Sequence, residues 1–210
     1  MDTKYLTQIS ELYQEYRSII KPLIAEVESA YEEFPLPLLN EIRAFNDHIS
    51  RCFQSDVNDD EISTQLKKAK SHNVRIIFDC YKFLNVYYYD KIKKFEKQIK
   101  NINLTTINSG QFYIKYRELR QKAINKVREA KKEEVKGDEG SFNCYQDAYN
   151  CFVELDDYIS DNLTNVNWAR AKFYTRKFVM VFSWLLSIII ASVLSNNNVE
   201  IISAFKSIFK

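Results

Sequence analysis

Glycine and proline are scarce, with three of each in 210 residues. So few breakers exclude a β-rich chain with many tight turns, and equally a disordered linker. Histidine is rarer still, at two copies, His48 and His72. The four cysteines, Cys52, Cys80, Cys144 and Cys151, form no CxxC pair. No zinc-type spacing can be drawn from that set, so neither a metal nor a cofactor is expected. The thiols read as buried and reduced, as in a cytoplasmic body. An excess of one charge is missing too: 30 Lys and Arg against 28 Asp and Glu leave a net charge of +2. That balance argues against a dedicated nucleic-acid binder. The first twenty residues are charged throughout and lack the apolar core of a secretory signal. The chain also lacks a Gly-rich phosphate loop, a nucleophile elbow and paired catalytic carboxylates.

What is present is helical periodicity, and the expected fold class is all-α. Tyr5, Ile9, Leu12, Tyr16, Ile19, Leu23, Val27, Ala30 and Phe34 recur at steps of three and four. They form one apolar stripe on a helix over about 3–34. Pro22 should kink or break it near Ile19. Pro35 and Pro37 mark a turn, and a second helix covers about 38–53. Residues 54–60 form a loop in which Asp59 or Asp60 can cap the next helix. That third helix, about 61–101, would reach roughly 60 Å and must bend or project. A connection over 101–110 leads to a basic helix over about 111–136. Gly137 and Gly140 end it, and a further helix spans about 142–163.

The mean hydropathy of −0.38 is that of an ordinary soluble protein, but it averages two different regions. Of 58 charged residues, 55 precede Phe178, and none lies between Phe178 and Val199. The most apolar part, 178–194, spans about 25 Å as a helix, close to the hydrocarbon thickness of a bilayer. The alternative is a central helix of a soluble bundle. Arg170, Lys172, Arg176 and Lys177 form a basic collar before the segment, with no acidic residue among them. By the positive-inside bias, the N-terminal part faces the cytoplasm. The expected division is a cytoplasmic helical domain over 1–177, a transmembrane segment over 178–199 and an amphipathic tail over 200–210. In the tail, Ile201, Ile202, Phe205, Ile208 and Phe209 share one face opposite Ser203, Lys206 and Ser207. Ser183, Ser187, Ala191 and Ser195 recur every four residues beside Trp184. Such a line either lets neighbouring helices approach closely or is simply tolerated in a spanning helix.

A polar cluster stands out upstream. Arg43, Asp47 and Arg51 share one face of the second helix, which also carries His48. His72, Arg75 and Asp79 share a face of the third. Antiparallel packing would bring both histidines together, with charges that must be paired if buried. The candidate roles are a structural network, catalysis or regulation. Two further basic runs, Lys91–Lys100 and Lys115–Arg128, suit RNA, anionic lipid or plain solvation.

Arg43 and His48 spell R-x4-H, which resembles the motif of the HEPN superfamily of all-α ribonucleases, where arginine and histidine act on the RNA phosphodiester. Ala44 stands where that family has a polar residue. A single copy needs a second chain to build the composite site, and a five-residue step turns about 140° around a helix. An all-α body with one such motif and one spanning segment resembles the small membrane accessory protein of type VI-B CRISPR systems. That resemblance implies a HEPN-like bundle forming a non-catalytic homo-oligomeric pore in the bacterial inner membrane. The pore would strengthen anti-phage defence beside an RNA-guided CRISPR nuclease or its RNA products. The other readings are a membrane-tethered ribonuclease and a membrane-anchored interaction module.

Overall fold

The computed structural model of the chain describes residues 2–136 and 141–196. Among the described residues every regular element is helical and no strand occurs. The chain divides into two compact units, Met1–Gln98 with Ile114–Asp161, and Ile99–Tyr113 with Asn162–Lys210.

The first unit opens with α1 (Thr3–Glu15) and α2 (Lys21–Tyr31), joined by a π-helical turn over Tyr16–Ile20. The α-helical geometry is therefore interrupted just before Pro22, near Ile19, by a wider turn rather than by a loop. In a regular turn the Pro22 ring would strike the Ser18 carbonyl, and it has no N–H to give. The wider turn, closed by the Lys21 N–H on the Tyr16 carbonyl, relieves that conflict. Helix α2 ends three residues earlier than the apolar stripe suggested. Glu32 takes a left-handed conformation (φ 58°) and donates its N–H to the Glu28 carbonyl. Helix α3 (Leu36–Arg51) then starts with Pro37 in its first turn, where a missing N–H costs nothing.

Helix α4 (Asp59–Ile99) runs unbroken for 41 residues. Its cap is Asn58 rather than Asp59 or Asp60. The Glu61 N–H donates to Asn58 Oδ1 at 2.9 Å and the Asn58 N–H to Glu61 Oε2 at 3.3 Å, a reciprocal capping box. The length of α4 is used by two successive cores. Near its start, Ile62, Leu66 and Ala69 pack with Tyr5, Ile9 and Leu12 of α1 and Phe45, Ile49 and Cys52 at α3. Further along, Ile76, Ile77, Cys80, Tyr81 and Leu84 pack with Ile24 and Val27 of α2 and Leu38 of α3. Ala130 of α5 (Gln111–Lys136) and Tyr145 of α6 (Ser141–Asp161) complete that second core. Each fully buried Phe or Leu contributes roughly 1.5–3 kcal/mol.

Tyrosine–carboxylate bonds fasten these helices where the core meets water. Tyr145 Oη donates to Glu134 at 2.5 Å, Tyr116 Oη to Glu96 at 2.9 Å, and Tyr149 Oη to Glu26. Burial raises the pKa of each of these phenols above the ordinary range, with the carboxylate partner adding to the effect. All four cysteines are free. Cys80 is fully buried, which pushes its thiol up to about 12.

In the second unit, Ile99–Tyr113 carries two short 3₁₀ turns, Leu104–Thr106 and Asn108–Gly110. Gly110 needs its glycine, since its φ is +88°. Asn108 Nδ2 donates to Asn162 Oδ1 at 3.3 Å, and α7 (Leu163–Asn196) begins immediately after. Gly137, Gly140 and the 200–210 tail lie outside the described residues, as do the last three residues of the expected 178–199 segment.

Candidate functional site

Helices α3 and α4 run antiparallel, and a seven-residue step on each builds a polar ladder between them. Glu41 and His48 lie seven apart on α3, and Gln65 and His72 seven apart on α4. His48 Nδ1 donates to Gln65 Oε1 at 2.7 Å, and His72 Nδ1 donates to Glu41 Oε2 at 2.6 Å. Between these rungs the imidazoles stack, with centroids 5.1 Å apart and planes 22° off parallel. The His72 side chain is 12% exposed, so a polar partner is required there. Arg75 Nη1 approaches Glu41 Oε2 at 3.9 Å. Glu41 is thus the acceptor at the centre of the cluster.

The structure brings His48, His72 and Arg75 together but leaves Arg43 elsewhere. Arg43 is exposed on another face of α3 and makes no hydrogen bond or ion pair among the described residues. Helix α3 is regular between the two positions, so the 140° divergence of a five-residue step stands. Asp47 pairs with Arg51 at 2.7 Å on the exposed surface, an arrangement of small energetic weight. Asp79 is half-buried, and burial raises its pKa above 3.8 despite Lys82 nearby. A cavity of about 700 Å³ beside the ladder is lined by Arg51, Asp56, Glu61 and Gln65 among others, but by neither Arg43 nor His48. Among the described residues no group of three or more His, Cys, Asp or Glu could hold a metal. The geometry gives an interhelical latch, and Arg43 is not placed to hold a phosphate against His48.

The Lys115–Arg128 run is largely neutralised, whereas in the Lys91–Lys100 run only Lys91 has an ion pair among the described residues. Lys91 pairs with Asp156 at 2.6 Å, Lys122 with Glu154 at 2.8 Å, Lys126 with Glu129 at 2.9 Å, and Arg120 with Glu96.

Helix α7 is the other candidate. It is continuous for 34 residues, so the collar and the apolar segment form one rod of about 51 Å. Its Leu163–Ser195 stretch is long and apolar enough to cross a membrane, and none of its most apolar 18-residue window is buried. Ser183, Trp184, Ser187, Ala191 and Ser195 are all exposed. The Ser187 hydroxyl donates to the Trp184 carbonyl at 2.7 Å, so it is satisfied without water. Trp168 precedes the collar and Tyr174 lies within it, both exposed, and Lys172 Nζ sits 4.7 Å over the Trp168 ring. Aromatics mixed with Lys and Arg are the residues that seat a helix at a headgroup boundary. The sequence signal for this pair was the alternation of aromatic and basic residues over 168–177.

Comparison with protein-family models, with curated proteins and with solved structures finds no match to this chain.

Proposed function

We propose that the protein is anchored in a membrane by α7 and acts as a homo-oligomer whose clustered α7 helices perturb the bilayer. The observation that carries this is the most apolar stretch of α7, none of which is buried. An uncovered surface of that size is not stable in water and calls for lipid, a second copy, or both. The four-residue line of Ser183, Ser187, Ala191 and Ser195 offers a contact face between copies. The ion pairs along α5 and the latched His48–His72 contact suit a structural body rather than a ribonuclease. Arg43 and His48 then have no catalytic role. The resemblance to the type VI-B accessory proteins supplies the setting of the proposal. That setting is the bacterial inner membrane, the first unit in the cytoplasm, and an RNA-guided nuclease or its RNA products as partner.

The test reconstitutes the purified protein in planar bilayers and liposomes. The account expects resistance to alkaline extraction, together with conductance or dye release that falls when Ser187 and Ala191 are both made Leu. Complete release from membranes by alkaline carbonate, or no permeabilisation at any protein-to-lipid ratio, would overturn it.

A further inference from the structure

The near-zero net charge of the chain is the sum of two unequal parts. The first unit carries 23 Lys and Arg against 27 Asp and Glu, a net charge of −4. The second carries 7 against 1, a net charge of +6. Among the described residues of the second unit the cations are Lys100, Arg170, Lys172, Arg176 and Lys177, and there is no Asp or Glu.

The two units also treat their cations differently. In the first, cations of α4 and α5 reach carboxylates on neighbouring helices, as Lys91 does with Asp156 and Lys122 with Glu154. In the second, none of the five makes an ion pair among the described residues. Four of them fall within eight residues of α7, immediately before the uncharged stretch that begins at Phe178. Lys172, Arg176 and Lys177 are exposed and Arg170 is half-buried. Like charges so close repel one another unless an external anion meets them.

Position along and around the helix limits what that anion can be. Residues 170–177 rise roughly 10 Å along the α7 axis, about the depth of one headgroup layer. A helix turns about 100° per residue, so Lys172 and Arg176 lie on one flank and Arg170 and Lys177 on another, about 130° round. A rigid partner docked on one flank leaves the other pair bare. A layer of headgroups reaches both at the same level, and the apolar stretch below fixes that level. A zwitterionic headgroup brings its own ammonium with each phosphate and supplies no net countercharge. A headgroup of net negative charge does. Clustering of copies strengthens the demand, because each added α7 brings four more cations to one level of the membrane.

We propose that Arg170, Lys172, Arg176 and Lys177 bind anionic phospholipid in preference to zwitterionic phospholipid. The arginines pair with phosphate oxygens through their planar forks and the lysines act as point charges. This rests on α7 being the membrane anchor and names the lipid class that the anchor selects.

The test is native mass spectrometry of the full chain in detergent, titrated with phosphatidylglycerol or with phosphatidylcholine of identical acyl chains. Phosphatidylglycerol should bind about tenfold or more tightly. The two lipids should bind alike to Arg170→Gln/Lys172→Gln/Arg176→Gln/Lys177→Gln, whose helical content by circular dichroism should be unchanged. Arg17→Gln/Arg43→Gln/Lys67→Gln/Lys68→Gln removes the same charge from exposed positions of the first unit and should keep the preference. Glycerol 3-phosphate at about 10 mM should not displace the lipid. Equal binding of the two lipids to the wild type overturns the proposal. So does a full preference in the α7 variant, an equal loss in the first-unit variant, or displacement by glycerol 3-phosphate. In each of these cases resistance of the wild type to alkaline carbonate leaves the anchor itself standing, whereas release by carbonate removes both.

Discussion

The imidazole rings of His48 and His72 stack 5.1 Å apart, each ring held by a residue of the opposite helix. The only two histidines of the chain are thereby committed to joining α3 to α4. A double-mutant cycle on His48→Ala and Gln65→Ala measures one rung of that ladder. Chemical denaturation should give a coupling of about 0.5–1.5 kcal/mol. Additive losses would mean that the rung carries no interaction.

Arg43 contrasts with its neighbours. Exposed and without a partner among the described residues, it should tolerate Arg43→Ala with a change within about 0.5 kcal/mol, and bilayer permeabilisation should be unaffected. RNA cleavage by the wild-type protein that disappears in Arg43→Ala would reverse the non-catalytic reading.

Asp79 offers a pH-dependent test. Burial is the main cause of its raised pKa, so its charged form is disfavoured in the fold relative to the unfolded chain. Whatever stability it contributes is complete below 3.8 and is lost as pH rises through the folded value. Asp79→Asn, which cannot ionise, should therefore stabilise the protein at pH 7. That advantage should shrink as pH falls toward 3.8. Urea melts at several pH values would show it, and a destabilised variant at pH 7 would contradict it.

Ile189 lies near the middle of the apolar stretch of α7 and is exposed. An arginine there should cost roughly 2.5–3.5 kcal/mol of membrane insertion. Ile189→Arg should then shift the protein from the membrane pellet to the soluble or aggregated fraction, whereas Val135→Arg, on α5, should not. Equal retention of both variants would remove α7 as the anchor.

Much of this architecture was legible because helical periodicity is a local signal. The long α4, the basic α5 and the uncharged C-terminal run all came from spacing and composition. The terminal details were less accessible. Asn58 wins the cap of α4 over Asp59 and Asp60 because Glu61 stands three residues on and can return the bond. Pro22 is accommodated by a π turn whose extra residue moves the buried face from the expected Ile19 and Leu23 to Ile20 and Ile24, a trade of local regularity for continued burial. That balance depends on what packs there and is not written in the proline. In the cluster, the two histidines and Arg75 were found from their faces. Glu41 and Gln65 were not, since the acceptors are defined only by the register of α3 on α4. Asn85 carried no signal at all, because an isolated asparagine in an apolar helix shows its purpose only once Tyr145, whose carbonyl its Nδ2 meets at 2.9 Å, is placed beside it.

The central claim is that α7 brings copies of this chain together in a membrane. Native mass spectrometry of the full-length protein released from lipid nanodiscs tests it most directly. The account predicts a discrete assembly of three or more copies that dissociates when Ser187 and Ala191 are replaced by Leu. A single copy per nanodisc at all loadings, with α7 intact, would contradict it.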